Sequence, residues 1–319
     1  MNTHKLPDND DIKKAKELIN KYAHLTPILT STFFDDYFNA KLYFKCENFQ
    51  KSGSFKFRGA TNAVLSLSKD QLKNGVITHS SGNFGQALAL TAKMKGIKAY
   101  IVMPNNSPKA KVEATKAYGA EVILCEPTLE ARESTANEVI SKTNANFIHP
   151  YNDYTIIAGQ ASAMMEILDF KKDLDIVISP VGGGGLISGT ILAAKYNAPK
   201  VKVFAAEPKN ADDAYRSWIS KSFIPSENPK TICDGLKTSL GSKTYPIIME
   251  NIDKIITASE ENIIEMMRLV WERMKIVIEP SSAVTLAAMH ENKELFEDKN
   301  IAVIFSGGNV DLKNLPWII

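Results

Sequence analysis

Short runs rich in β-branched residues recur along the chain and alternate with segments whose apolar residues fall at helical spacing. The runs are 42–46, 76–79, 99–103, 121–125, 176–179, 201–205 and 301–305. Between them, 85–95, 129–141, 157–168 and 263–274 carry a period near 3.6. A chain that switches repeatedly between these two periods predicts an α/β fold, a mainly parallel sheet covered by helices on both faces. In such folds ligands bind outside the carboxyl ends of strands, so the loops that follow the runs are where chemistry belongs.

Composition narrows the classes. At 319 residues and 44% hydrophobic, the chain can bury an ample core and is expected to fold with two lobes sharing a cleft. The 38 basic and 36 acidic side chains are scattered and leave a net charge of only +2, which disfavours nucleic acid as a partner. The first residues are polar and no apolar run is long enough to span a bilayer, so the expectation is a cytoplasmic protein without membrane contact. Cys46, Cys125 and Cys233 are widely spaced and match neither a disulfide framework nor a zinc site, which leaves them as small core residues.

Four loops stand out. In Ser52-Gly53-Ser54-Phe55-Lys56-Phe57-Arg58, a lysine lies between two phenylalanines just after a Ser-Gly turn. Desolvation there would lower its pKa and favour the neutral amine that attacks an aldehyde. An ordinary helix-start lysine with its stem on apolar surface is the alternative. Ser80-Ser81-Gly82-Asn83-Phe84 follows the run 76–79 and opens a helix, so its small polar groups and the helix amino terminus suit a planar ligand bearing an anion. A capped turn would explain one of those polar residues but not the whole row.

Gly182-Gly183-Gly184-Gly185-Leu186 again sits between strand and helix. Consecutive unobstructed amides ahead of a helix form a nest for a phosphate. No Gly-Lys-Ser/Thr follows and no register gives Gly-x-Gly-x-x-Gly, so pyridoxal 5′-phosphate (PLP) fits better than a nucleotide. Finally, Ser306-Gly307-Gly308-Asn309 follows the apolar run 301–305, where a hydroxyl can meet a ring nitrogen without forcing its protonation. By itself that loop reads as a simple turn.

Taken together, in this order and spacing, these loops and Ile157-Ala158-Gly159-Gln160 resemble the fold-type II PLP enzymes of the serine racemase and serine/threonine dehydratase family, from about Asp11 to Asn309. The resemblance implies a two-lobed, tryptophan synthase β-like fold, with residues 1–74 and 150–319 forming a large PLP-binding domain and 75–149 a small domain. It implies Lys56 as the Schiff-base lysine, Asn83 on the phenolic oxygen, Gly182, Gly183, Gly184, Gly185 and Leu186 around the phosphate, Ser306 at the pyridine nitrogen, and Phe55 and Gly235 flanking the ring. Ser80, Ser81, Gly82 and Asn83 would form the substrate loop, with a small hydroxy amino acid as substrate. Lys56 and Ser81 would be the catalytic pair, working on opposite faces. A serine at 81 is the racemase pattern, whereas typical threonine dehydratases have Ser-Ala-Gly-Asn. The activity so implied is racemisation of serine with accompanying β-elimination; the alternative is a catabolic threonine or 3-hydroxyaspartate dehydratase with little racemisation.

The same resemblance implies a Mg2+ or Ca2+ site at Glu207, the carbonyl of Ala211 and Asp213, which an acidic solvated turn would mimic. It also implies a homodimer and ATP as an activator, at Lys51, Lys111, Tyr118 and Asn309, unless these are ordinary surface residues. Phe84 replaces a histidine usual in the family, and Tyr151 replaces an asparagine of animal racemases. Both changes bear on substrate choice and on the balance of racemisation and elimination.

Overall fold

The computed structural model describes residues 5–107 and 109–317. Among the described residues ten strands form two sheets: β1 (Ile28–Leu29), β2 (Lys41–Cys46), β3 (Val76–His79), β4 (Ala99–Pro104), β5 (Glu121–Cys125), β6 (Asn146–Phe147), β7 (Ile176–Pro180), β8 (Lys202–Pro208), β9 (Lys254–Ala258) and β10 (Asn300–Phe305). The larger sheet runs β1-β2-β10-β7-β8-β9 and the smaller β5-β4-β3-β6. Every neighbouring pair is parallel except β1 with β2.

Each expected strand is present. The additional ones are the two-residue β1 and β6, too short to show a period, and β9, whose Ile-Ile-Thr run is bounded by ordinary charged and polar residues. Buried strands such as β7 and β10 read as continuous apolar runs because helices cover both faces. The expected helices appear with longer ends, as in Tyr154–Phe170 and Glu260–Met274, because capping by Asp153 and Ser259 starts them a turn before the apolar pattern becomes visible.

The three cysteines are buried and free. No described helix is long and apolar enough to cross a membrane.

Two features position the site. In the larger sheet β10 pairs with β2 on one side and β7 on the other, so the segments leaving the carboxyl ends of three adjacent strands converge. The helix Lys56–Leu65 contributes Phe57, Ala60, Ala63 and Val64 to the core beside the smaller sheet, together with Val76, Ala99 and Ile101. That helix therefore stands between the sheets, with Lys56 at its first turn.

Candidate active site

Lys56 opens its helix after a tight turn in which Ser52 and Gly53 both adopt positive φ, 57° and 73°. Phe55 donates its amide to the Ser306 carbonyl at 3.0 Å, and Ser54 bridges to Gly307, so the Lys56 and Ser306 loops are held side by side. Below the lysine lies a buried charge quartet. Arg58 donates Nε to Glu47 at 2.7 Å and Nη1 to Glu166 at 2.6 Å, and Lys45 donates to Glu166 at 2.5 Å; the four side chains are between 0% and 4% exposed. Thr26 Oγ1 and Ser162 Oγ complete the network. Two cations and two anions balance, and every guanidinium nitrogen has an acceptor, which is the condition for burying such groups. The quartet ties the Lys56 helix to β2 and to the helix Tyr154–Phe170.

A cleft of about 640 Å³ lies above it. Its walls include Phe55, Lys56, Ser80, Ser81, Gly82, Asn83, Gly182, Gly183, Gly184, Gly185, Leu186, Gly235 and Ser306, so every residue expected to touch cofactor or substrate meets in one place. Lys56 Nζ donates to the Pro150 carbonyl at 3.2 Å and lies 5.1 Å from the centre of the Phe55 ring. Burial brings its pKa down to about 8, with Glu279 opposing. A larger fraction of neutral amine at physiological pH follows, as a nucleophilic lysine needs.

The glycines do what a phosphate cradle requires. A Cβ on Gly183 would lie 2.5 Å from the Tyr151 ring, and Gly184 caps the helix Gly185–Asn197 with φ of 88°. Side chains are excluded there by both space and backbone. The amides that open this helix are left unobstructed, as an anion nest requires. Ser306 Oγ is buried, 3.2 Å from Ser282 Oγ and 3.5 Å from the Ser281 carbonyl, and its hydroxyl would turn from these acceptors to donate to a ring nitrogen. These residues fit PLP: an amine with depressed pKa, an anion nest and a neutral hydroxyl share one cleft.

Other residues were not foreseen. Glu279 is buried; it accepts from Asn83 Nδ2 at 2.9 and 3.1 Å and from the Asn309 amide at 3.2 Å. Burial first, and Asp234 next, push its carboxyl up to about 8. Asn83 Oδ1 also accepts from Asn309 Nδ2 at 2.9 Å, so the Asn83 amide is oriented from both ends. The only sequence signal for Glu279 is its place before Pro280 at a helix start, which suggests a cap and nothing more. Arg132, Glu133 and His149 also line the cleft, beside Tyr151, which the sequence already marks as bearing on substrate choice. Arg132 and Glu133 sit on the Leu129–Thr143 helix of the smaller sheet, where one more charged pair on a polar helix carries no signal. Phe84 packs into the core beside the smaller sheet and lies with its ring 5.9 Å from Lys56 Nζ.

The expected cation site is built differently. Glu207 at the end of β8 and Asp213 at the start of the next helix are 0% and 1% exposed. Glu207 accepts the amides of Ala214 and Tyr215 at 3.2 and 2.9 Å, while both carboxylate oxygens of Asp213 are buried with no hydrogen-bond partner among the described residues. Burial, then Asp213, raises Glu207 well above the usual carboxylate range, and burial brings Asp213 up to about 6. Ala211 lies on the intervening turn and is also buried. Among the described residues no cluster of three or more His, Cys, Asp or Glu is placed to hold a metal.

Of the expected nucleotide residues, Lys111 and Asn309 line a second cavity of about 460 Å³, whereas Lys51 and Tyr118 are not among its walls. Lys51 stands over the Phe57 ring, and Tyr118 packs against the core of the smaller sheet. Lys111 is also paired with Asp234, and both of these line the main cleft too.

Residues 19–307 match the family described as pyridoxal-phosphate dependent enzyme, and the chain belongs to that family. Within it, the chain is 50% identical over 314 residues to a serine racemase of Dictyostelium discoideum, covering 97% of each. It is also 45% identical to the β-hydroxyaspartate dehydratase of Paracoccus denitrificans, covering 98% of this chain and 99% of that one. The solved structure of maize serine racemase superposes with a TM-score of 0.95 at 42% identity, covering 97% of this chain and 95% of that one. The two-lobed fold-type II reading is thereby established.

Proposed function

We propose that this protein is a PLP-dependent amino-acid racemase that interconverts L- and D-serine and also eliminates the β-hydroxyl of serine and threonine to give an α-keto acid and ammonia. The observation that carries the reading is the meeting of Lys56 and Ser81 in one cleft with the Gly182–Gly185 nest. It is supported by the Dictyostelium and maize relatives. PLP, when bound, supplies an electron sink that makes the substrate α-proton removable.

The chain's own groups then divide the work. Lys56 Nζ, with its lowered pKa, accepts a proton at one face, and Ser81 Oγ holds or delivers one at the other. Delivery from Ser81 inverts the centre; loss of the substrate hydroxyl instead leads to elimination. The amino end of the helix Asn83–Lys95, with Ser80 and Gly82 before it, holds the substrate carboxylate. Asn83 would meet the cofactor's phenolic oxygen, Phe55 and Gly235 would bracket its ring, and Ser306 would hydrogen-bond its nitrogen without donating a full charge.

Glu207, the Ala211 carbonyl and Asp213 hold Mg2+ or Ca2+, which would satisfy the orphaned Asp213 oxygens. Residues 75–149 act as a small domain against 1–74 and 150–319. ATP is an activator that engages Lys111 and Asn309, with Lys51 and Tyr118 reached in a homodimer, and the enzyme works in the cytoplasm.

The test is Ser81→Ala. D-serine formation from L-serine should fall by roughly two orders of magnitude, the usual contribution of a positioned acid or base, while pyruvate formation persists. Equal loss of both would overturn the assignment of Ser81. A second reading, a β-hydroxyaspartate dehydratase with little racemisation, is supported by the Paracoccus relative and by Arg132 lining the cleft, a cation suited to a second carboxylate. Faster turnover of 3-hydroxyaspartate than of serine, with no D-serine formed, would select it.

A further inference from the structure

His149 follows β6 in the turn that supplies Pro150, the acceptor of the Lys56 ammonium, and Tyr151, the ring that closes over Gly183. Its Nδ1 lies 3.2 Å from the Tyr151 amide and 2.9 Å from the Asn152 amide. Both of those groups can only donate, so Nδ1 must accept, and the ring proton of the neutral imidazole resides on Nε2. The ring stands edge-on to Tyr151, with centroids 4.7 Å apart, and edge-on to His79 at 6.3 Å, which fixes its plane. Nε2 makes no hydrogen bond to any described protein atom, although His149 lines the cleft beside Lys56 and the glycine loop.

We infer that His149 is a further ligand-facing residue of this site: its Nδ1 shapes the turn, and its Nε2–H is a fixed donor to an oxyanion of the bound substrate or cofactor. This rests on the PLP-enzyme reading above and deepens it. Protonation of the ring would require Nδ1 to give up both backbone amides, so the imidazole works as a donor that keeps its proton. Burial, the neighbouring His79 and the Lys56 ammonium also push its pKa down to about 4, with Asp153 opposing and Lys243 assisting, so the ring stays neutral at physiological pH. A neutral donor of this kind can hold an oxygen anion without competing with Lys56 or Ser81 for the substrate proton. Its companion nitrogen, loaded with two hydrogen bonds, polarises the N–H further.

The two nitrogens can be separated by substitution. Asparagine places an oxygen near the Nδ1 position and has nothing at Nε2; glutamine places an amide N–H near Nε2 and gives up the Nδ1 acceptor. His149→Asn should therefore stay folded, with a thermal midpoint close to the parent's, and lose roughly 10- to 100-fold in a ligand-binding readout, the range for a hydrogen bond to a charged group. A weaker affinity of the apoprotein for PLP, followed by absorbance during titration, places the oxyanion on the cofactor. An unchanged PLP affinity with a fall in kcat/KM for L-serine places it on the substrate. His149→Gln should recover part of whichever loss is seen.

If His149→Asn matches the parent in both PLP affinity and kcat/KM, the inference is overturned and the imidazole serves only the turn. Should the asparagine variant fail to fold, 15N-histidine NMR of the unaltered protein decides, with His149→Gln assigning the signal. An Nε2–H resonance that shifts on addition of PLP or L-serine supports the inference, and one that responds to neither overturns it. Parent enzyme that turns over no hydroxy amino acid would instead sink the functional reading itself, a distinct result.

Discussion

The quartet of Lys45, Glu47, Arg58 and Glu166 and the pair Glu207 and Asp213 are buried to the same degree, yet one is closed and the other is open. In the quartet each charge faces its opposite and each donor has an acceptor. In the pair the charge of Asp213 bears on the Glu207 carboxyl, and among the described residues Asp213 has no hydrogen-bond donor for either oxygen. Since an unpaired buried charge costs several kcal/mol, the first cluster is complete as protein and the second is complete only with a cation or a proton. Neutralising one member should therefore have opposite signs in the two places.

The largest effect is expected from Arg58→Leu, which strands Glu47 and Glu166. A loss of about 3–5 kcal/mol in urea unfolding is predicted, as for other broken buried pairs. Loss under about 1 kcal/mol, the scale of an exposed pair, would show that the quartet is relaxed and hydrated. Next, saturating Mg2+ or Ca2+ should stabilise the parent by about 2.7 kcal/mol at a hundredfold excess over Kd, read as a rise in thermal midpoint. Asp213→Asn should abolish that rise; an equal rise in the variant would place the cation elsewhere. The same variant without added cation should be at least as stable as the parent, because one of two repelling carboxylates is gone. A destabilised Asp213→Asn would mean that the pair is not strained at all.

A smaller effect separates Lys56 from the lysine of the quartet. Lys45 is locked on Glu166, but Lys56 has a carbonyl and aromatic rings for company and a pKa near 8. Because its folded-state pKa lies below the unfolded value, the unfolded chain binds the extra proton between about 8 and 10.5, so this lysine makes the apoprotein gain stability as pH rises through that window. Uptake of PLP by the apoprotein should accelerate with pH about a midpoint near 8. A midpoint near the ordinary lysine value would show that burial does not tune this amine.

The closed and open clusters also differ in how much of them the sequence reveals. Lys56, Ser81, the Gly182–Gly185 run and Ser306 are legible because each lies in or borders a segment that leaves the carboxyl end of a strand, and the strand signal tells where ligands gather. Glu207 and Asp213 are legible as a spaced acidic motif, though not the asymmetry by which Glu207 takes two helix amides while Asp213 takes none. The quartet is invisible. Glu47 and Glu166 lie 119 positions apart in the numbering, read as ordinary helix and turn carboxylates, and meet Arg58 only when three elements pack. Glu279, Arg132 and His149 were missed for a related reason, since each comes from a different element and only tertiary packing brings them to the cleft. In the fold, β9 was hidden because its apolar run is brief and unflanked by Gly or Pro.

The central claim is that Lys56 and Ser81 serve the two faces of one substrate. Its most direct test is chiral analysis of L-serine incubated with the PLP-loaded protein, with pyruvate measured alongside. D-serine should accumulate together with pyruvate; pyruvate without D-serine at any time would contradict the account.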